Sequence, residues 1–184
     1  DSVATSFYNI KDFNLINVTL NDTLFMRSEF KGGPRSNDQF NLNLYHTINQ
    51  DNHSVVGLQR SDVKFKESVW HLNEKGNRSN RIIFSNGLNN VRVDSLVLSH
   101  EQEEIRLAGV MRDSTYKNFQ MEFDNVDLYK ITPEISDLEM GGIVNGSLNL
   151  LQQDGAYFPN TSLTVRDLTI NDEMLGVLNR SEER

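Results

Sequence analysis

The sequence lacks cysteine altogether. Structural disulfides, thiolate catalysis and cysteine-based zinc sites are therefore excluded, and an oxidising compartment is permitted. Long apolar runs are missing too: none exceeds five residues even with glycine counted as apolar, whereas a transmembrane helix needs about 20. No signal peptide is recognisable. Because the chain starts at Asp1 without a methionine, we expect a segment of a longer extracytoplasmic protein.

Apolar residues are scarcer than in an average globular domain, at 37%, and 24% of residues are charged. This composition excludes wholesale disorder and fits a thin, one-sided sheet. The net charge of −8 is uneven: residues 1–92 carry 11 basic and 9 acidic side chains, and residues 93–184 carry 7 and 17. The acidic half argues against nucleic acid as the main partner. One basic cluster is interpreted either as a solvated face or as a contact for anionic headgroups or a partner: Arg60, Lys64, Lys66, Lys75, Arg78 and Arg81.

Apolar and polar residues alternate along most of the chain. In residues 40–48 the apolar residues are Phe40, Leu42, Leu44 and Ile48. The residues at the odd positions between them are Asn41, Asn43, Tyr45 and Thr47. Because successive strand side chains point to opposite faces, such a strand has one apolar and one polar face. About a dozen short segments share the pattern, with Asn-, Asp-, Gly- and Ser-rich turns between them. Since buried parallel strands are continuous apolar runs, the pattern predicts an all-β protein of antiparallel hairpins.

One stretch has helical spacing instead: Leu128, Ile131, Ile135 and Leu138 are apolar. Thr132 is a candidate N-cap, followed by Pro133 at the first helical position. We therefore predict one short helix near residues 133–138, ended by Gly141 and Gly142.

A loose repeat is also present, in which two apolar-x-apolar strands flank a polar turn and the second strand runs into a glycine. The best copy is Leu96-Val-Leu98 followed by Ile105-Arg-Leu-Ala-Gly109. Repeated hairpins of this kind predict an elongated array, in which each unit buries its apolar face against its neighbours.

Motifs that carry chemistry are missing. No phosphate-binding glycine loop, nucleophile elbow or metal-ligand spacing occurs. Carboxylates cluster at residues 101–104 and 124–127, but they stand on turns rather than as a positioned pair. We expect no enzymatic activity, no metal and no cofactor, and we interpret the histidines as polar residues of strands and turns: His46, His53, His71 and His100.

The distinctive feature of the C-terminal two thirds is an order of elements: two strands, a glycine, a strand, a short proline-containing helix, and a strand of the form G-x-x-N-G. The segments are Trp70-His-Leu72, Arg81-Ile-Ile-Phe84, Val91-Arg-Val-Asp-Ser-Leu-Val-Leu98, Ile105-Arg-Leu-Ala-Gly109, Phe119-Gln-Met-Glu-Phe123, Val126-Asp-Leu128 with Ile131-Thr-Pro133, and Gly142-Ile-Val-Asn-Gly146-Ser-Leu148. This order resembles the C-terminal region of the translocation-and-assembly-module B (TamB) proteins, in the AsmA-like group of Gram-negative bacteria. Residues 70–178 carry the resemblance, whereas residues 1–69 share the alternation of apolar and polar residues but contain no distinctive motif.

The resemblance implies that residues 1–184 are one β-groove segment of a periplasmic protein anchored in the inner membrane. The fold it implies is a curved antiparallel sheet, a taco-like open trough with an apolar lining. The function it implies is transport of phospholipid and support of outer-membrane biogenesis, with an Omp85-type outer-membrane barrel as partner.

Acyl chains would then lie against the regularly alternating apolar residues. The candidate groove residues are Leu42, Leu44, Trp70, Leu72, Val91, Val93, Leu96, Leu98, Ile105, Leu107, Phe119, Met121, Phe123, Leu148 and Leu150. Two alternatives stay open. One is a docking module that offers a sheet edge to nascent strands, which also predicts self-association of the fragment through its edges. The other is a closed β-sandwich binding module, in which the same residues form an ordinary core.

Overall fold

Strand alternation along the sequence produces one antiparallel sheet that contains all of the described strands. The computed structural model describes residues 3–4, 9–33, 37–85, 88–132 and 138–181. The sheet has 14 strands, and the all-β antiparallel prediction is confirmed. The strands are β1 (Val3–Ala4), β2 (Asn9–Leu20), β3 (Thr23–Gly32), β4 (Asp38–Ile48), β5 (Ser54–Leu58), β6 (Ser61–Phe65), β7 (Ser68–Leu72), β8 (Arg81–Ser85), β9 (Asn90–His100), β10 (Glu103–Arg112), β11 (Tyr116–Asp127), β12 (Met140–Gln153), β13 (Ala156–Ile170) and β14 (Glu173–Ser181).

Most strands pair with their neighbours in sequence, since tight turns connect them. The β2–β3 turn is Asn21-Asp22, the β12–β13 turn is Asp154-Gly155, and the β13–β14 turn is Asn171-Asp172. Both residues of each turn have positive φ, between 47° and 83°. Two positive φ values mark the mirror-image hairpin turns whose twist matches that of paired strands. Asn, Asp and Gly tolerate this conformation, so the turn chemistry enforces antiparallel neighbours.

Bulges keep apolar residues on one face where their spacing is three rather than two. The register shifts between Phe123 and Val126 in β11 and between Val165 and Leu168 in β13. Asn125 and Asp167 lie inside these shifts with φ of 51° and 52°. A bulge inserts one extra residue and so restores the side chains beyond it to the original face. Residues 163–165 and 168–170, which alternate in different phases in the sequence, are therefore two parts of one strand, β13.

The G-x-x-N-G segment owes its composition to two such bulges. Gly142 and Gly146 have φ of 124° and 121°. A Cβ at Gly146 would collide with the carbonyl oxygen of Ser162 in the neighbouring strand. Asn145 bridges to the bulge of β11, because its Oδ1 accepts from the Asn125 N–H at 2.9 Å. The two glycines and the asparagine are thus required by the ladder geometry.

Two strand glycines, Gly57 and Gly109, lie beneath aromatic rings. Tyr45 pairs directly with Gly57, and Phe119 pairs directly with Gly109. The space that a Cβ would fill at each glycine is taken by the ring of its partner. An aromatic ring laid over a cross-strand glycine restores packing that the glycine alone cannot supply. Gly57 and Gly109 therefore serve the packing of the sheet.

The helix of the described residues is a single turn that directly precedes the predicted helical stretch. Helix α1 (Leu128–Ile131) begins after Asp127, whose carboxylate accepts from the Tyr129 N–H at 3.0 Å. Thr132 ends helix α1, because its N–H and its hydroxyl both donate to the Leu128 carbonyl. Thr132 precedes Pro133, and a residue before proline is pushed out of the helical region; its φ and ψ are −76° and 132°.

The rest of the predicted helix has two outcomes. Residues 133–137 lie outside the described residues, whereas Leu138 forms a β-bridge. Gly141 and Gly142, predicted to end the helix, lie inside strand β12. One short helix is present among the described residues, at Leu128–Ile131, and the predicted cap Thr132 directly follows it.

Between the long strands β4 and β9 the sheet is filled by two short strand pairs. One pair is β5–β8 and the other is β6–β7. Strand β4 contacts β5 through residues 44–48 and β6 through residues 39–41. Strand β9 contacts β8 through residues 90–93 and β7 through residues 98–99. The backbone between these contacts has no regular ladder partner and needs other hydrogen-bond partners.

Asparagine side chains supply those partners, and we call Asn43, Asn73 and Asn80 the asparagine junction. Asn73 and Asn80 are buried, and Asn43 is half-buried. The Val97 N–H donates to Asn80 Oδ1 at 2.8 Å, and Asn80 Nδ2 donates to Asn73 Oδ1 at 3.0 Å. Asn73 Nδ2 donates to the Leu58 carbonyl at 2.7 Å. The junction thus ties β5 to β9 through side chains where strand pairing stops.

Asn80→Leu tests this role. Asn80 is only 2% exposed. The leucine would leave the part-buried Val97 N–H without its partner and remove one of the two donors to Asn73 Oδ1, at a cost of about 1–3 kcal/mol. Asn77→Ala is the matched control, because Asn77 is exposed in the same loop and bonds only the exposed Ser79 N–H through its side-chain oxygen. Urea denaturation should show a clear loss for Asn80→Leu and a small one for Asn77→Ala. Equal losses would contradict the junction.

Candidate functional site

The fifteen predicted groove residues share one face of the sheet. Residues paired across an antiparallel ladder project from the same side. Leu98 pairs with Ile105, and Ile105 pairs with Phe123. Following the ladders in this way places all fifteen on one side of the sheet, which we call the apolar face. The residues are Leu42, Leu44, Trp70, Leu72, Val91, Val93, Leu96, Leu98, Ile105, Leu107, Phe119, Met121, Phe123, Leu148 and Leu150.

These side chains form rows that run across the strands. The row at the centre is uninterrupted and contains no polar residue from β9 to β12: Leu96, Leu107, Met121 and Leu148. Parallel rows lie on either side of it, about 7 Å away along the strands. The first contains Leu98, Ile105 and Phe123, and the second contains Val93, Phe119 and Leu150. Together the rows make an apolar band perpendicular to the strands.

One end of the apolar face is covered. Trp70 is 3% exposed and Val126 is fully buried, and both belong to a core cluster with Val144, Val165 and Leu168. Partly buried residues packed against this cluster include two from helix α1, Leu128 and Ile131, and three groove candidates, Leu98, Ile105 and Phe123. Four of the fifteen candidates, counting Trp70, therefore belong to a protein core and not to an accessible lining.

Polar contacts hold helix α1 over this end. Lys130 of the helix donates to Glu103 Oε1 at 2.9 Å, and Glu103 is 8% exposed. On the other side, Lys66 Nζ donates to the Tyr129 carbonyl at 2.6 Å and lies 4.3 Å from the centre of the Tyr129 ring. Lys66 belongs to the β6–β7 turn, so the helix joins β10 to β6–β7 across the end of the face.

Beyond the covered end, the apolar face is only partly shielded. Eleven candidates lie outside the core cluster. Of these only Val93 is buried; Leu150 is 39% exposed, and the others are half-buried. Within the described ranges, every strand belongs to the single sheet, so no second sheet faces these residues there. Two stacked sheets, which a β-sandwich requires, are not what the described strands form.

The apolar face extends further toward the N-terminal strands than the candidate set. Phe40 stacks on Phe30 with ring centres 4.5 Å apart, and Phe13 lies 6.0 Å from Phe30. Phe40 pairs with Val63, which pairs with Trp70. This aromatic row therefore runs from β2 into the covered cluster. Alternation marks all three phenylalanines as apolar-face residues, and that signal could have added them to the candidates.

The opposite side, which we call the polar face, carries ladders of charge. Arg81 and Arg92 both pair with Asp94, at 2.6 Å and 2.8 Å. Arg106 pairs with Glu104 at 2.6 Å and lies 3.6 Å from Glu122. Exposed pairs of this kind add little stability, but they keep this side hydrated. The division into one apolar and one polar face follows from the alternation in the sequence.

Three histidines have local hydrogen-bond partners. His46 Nε2 lies 2.6 Å from Ser54 Oγ, His71 Nδ1 lies 2.7 Å from Asp62 Oδ1, and His100 Nδ1 lies 2.8 Å from the Val69 carbonyl. Among the residues that the structure describes, no three His, Asp or Glu side chains are grouped to hold a metal ion. The described part also has no helix with the length and apolarity to cross a membrane.

Comparison with known proteins gives no relative. No family model, no curated protein and no solved structure matches the chain at a significant level. The resemblance to TamB proteins is therefore carried by the sequence segments alone.

Proposed function

We propose that this chain is a periplasmic segment of an inter-membrane bridge, similar to TamB proteins, that carries phospholipid along the apolar face of its sheet and supports outer-membrane biogenesis. The observation that carries the proposal is the continuous apolar band, which among the described residues is covered at one end, by the four-residue helix α1. Soluble proteins rarely expose contiguous apolar patches larger than a few hundred Å² unless the patch binds something. An occupant is therefore expected.

Acyl chains suit this surface better than a folded partner does. The central row from Leu96 to Leu148 offers neither charge nor hydrogen-bond groups from its side chains. Such a lining gains free energy only from apolar transfer, about 0.8 kcal/mol for each methylene buried. Neighbouring positions along the band are chemically alike, so a chain can move between them without losing a specific contact. Transport by sliding requires this similarity.

Polar groups at the margin would face the headgroup. On β11 and β12 the apolar face ends at Lys117 and Gln152, which pair with each other. Beside them Met111 pairs with Lys117, and Tyr157 pairs with Gln152. A cation and an amide next to the band are suitable neighbours for phosphate and ester oxygens. Lipid would then lie with its tails on the band and its headgroup toward this margin.

Leu148→Asp tests the proposal against a matched control. Leu148 is in the central row, whereas the adjacent Asn149 projects to the polar face. A carboxylate at position 148 would have to lose its hydration against an acyl chain, so transfer of fluorescent phospholipid between vesicles should fall about tenfold or more. Asn149→Asp places the same charge one residue away and should leave transfer near the unmodified rate. Circular dichroism should report β-sheet in both variants.

The opposite results would contradict the proposal. If Leu148→Asp retains full transfer with its sheet intact, the apolar band does not carry the lipid. Extraction of the purified protein into organic solvent gives an independent reading, since bound phospholipid should be recovered in amounts that Leu148→Asp reduces.

A second candidate function is docking of an extended strand at a sheet edge. Strands β2 and β14 lie near the two ends of the strand order. Both carry apolar side chains that are more than half exposed, such as Val18 in β2 and Leu175 and Val177 in β14. Natural edge strands usually carry charge, proline or other protection against pairing. Their exposure favours pairing with another chain, including a second copy.

Sedimentation velocity distinguishes edge pairing from the apolar band. The docking candidate predicts concentration-dependent association that Val177→Lys weakens, because a charge on an exposed edge opposes strand pairing. Leu88→Lys is the control: Leu88 is 73% exposed but lies in the β8–β9 turn, away from both edges. If both variants associate like the unmodified chain, or if the chain is monomeric throughout, the edges do not dock strands.

A further inference from the structure

The polar face contains a depression that the lipid proposal does not use. It encloses about 780 Å³ between strands β3 and β4 on one side and the loop of residues 73–78 on the other. Phe25 and Tyr45, which pair across β3 and β4, form one wall. Arg60 and Arg78 reach it from the end of β5 and from the loop. This depression is on the opposite side of the sheet from the apolar band, because Tyr45 alternates with Leu44.

Hydrogen bonds of the asparagine junction hold the lining of this depression in place. Asn43 and Asn73 belong both to the junction and to the lining. Asn43 Nδ2 donates to the Arg60 carbonyl at 2.7 Å, and the Asn77 N–H donates to Asn73 Oδ1 at 2.6 Å. These bonds hold the backbone of Arg60 and of the loop in place. The two arginines therefore start from fixed positions on either side of Asn73.

The charge of the lining is uncompensated. No aspartate or glutamate is among the residues that line the depression. Four other arginines have carboxylate partners within 4.0 Å, namely Arg27, Arg81, Arg92 and Arg106. Arg60 and Arg78 have none in the described part of the chain. In a protein of net charge −8, an acid-free depression with two guanidinium groups is a local site of positive potential.

We propose that this depression binds a phosphate group, with Arg60 and Arg78 as its charged ligands. Guanidinium groups match phosphate oxygens through paired N–H donors, and hydrogen bonds to charged groups are stronger than neutral ones. The rings of Phe25 and Tyr45 provide an apolar surface for whatever carries the phosphate, either a soluble sugar phosphate or the headgroup of an anionic lipid. The phosphate is the chemistry common to both.

Titration followed by amide chemical shifts tests the site. Inorganic phosphate should shift the amide signals of residues 58–60 and 73–78 in a saturable way, and glucose 6-phosphate should bind more tightly through contact with the rings. Arg60→Gln and Arg78→Gln should each weaken binding about tenfold or more, since each removes charge-assisted hydrogen bonds. Arg92→Gln is the control, because Arg92 is on the same face but pairs with Asp94 outside the depression.

The outcomes separate the two sources of the phosphate and remain independent of lipid transport. Binding to glucose 6-phosphate without binding to phosphatidylglycerol vesicles indicates a soluble ligand, and the reverse indicates a headgroup. Either result supports the site if Arg60→Gln abolishes the binding and Arg92→Gln does not. The proposal is overturned if inorganic phosphate causes no saturable shift, or if the three variants bind equally. Vesicle-to-vesicle transfer along the apolar face should be unchanged in Arg60→Gln.

Discussion

The register of the antiparallel ladders is the constraint on which the rest of this molecule depends. Side chains alternate between the two faces with a period of two, so a slip by one residue would exchange the faces of an entire strand. From β2 to β13 the registers keep the apolar rows on one side and the arginine–carboxylate pairs on the other. In β11 and β13, bulges at Asn125 and Asp167 correct the phase where the apolar spacing changes to three. The band, the covered end and the polar face all follow from that phase.

Alternation and turn chemistry allowed the fold class and the shared face to be predicted from the sequence. Both are local signals: period-two hydrophobicity reports the face of a residue, and Asn-Asp or Asp-Gly reports a hairpin. Strand lengths were less predictable, because a bulge breaks the alternation without ending the strand. Residues 163–165 and 168–170 alternate in different phases for that reason, although one strand contains both. The spacing of Leu128 and Ile131 reported a helix, but it did not report that Asp127 caps the helical turn at Leu128–Ile131.

Some features depend on contacts that no local pattern reports. Residues 74–80 have the composition of a turn, yet Asn80 is buried at the centre of a hydrogen-bond network. Composition cannot distinguish a solvated asparagine from one that completes the ladder of a distant strand. The same limit applies to the groove candidates. Trp70 and Leu107 both lie in short alternating segments, but only Trp70 lies in the core cluster that helix α1 covers.

The two faces of the sheet therefore offer two kinds of chemistry. The apolar face presents similar side chains in rows, which suits a mobile, flexible chain. The polar face presents a depression with two arginines whose backbone is held by the asparagine junction, which suits a localised charged group. A thin sheet makes this possible, because each side chain is committed to one face and little protein lies between them. The asparagine junction serves both faces, since it holds the central strands together and shapes the depression.

The most direct test of the central claim is photocrosslinking at two adjacent positions of β11. Met121 lies in the central row of the apolar face, and Gln120 projects to the polar face. A photoreactive phenylalanine analogue is placed at one position or the other, and the protein is irradiated with phospholipid and analysed by mass spectrometry. The account predicts lipid adducts from position 121 and almost none from position 120. Equal adducts at both positions, or adducts at position 120 alone, would contradict it.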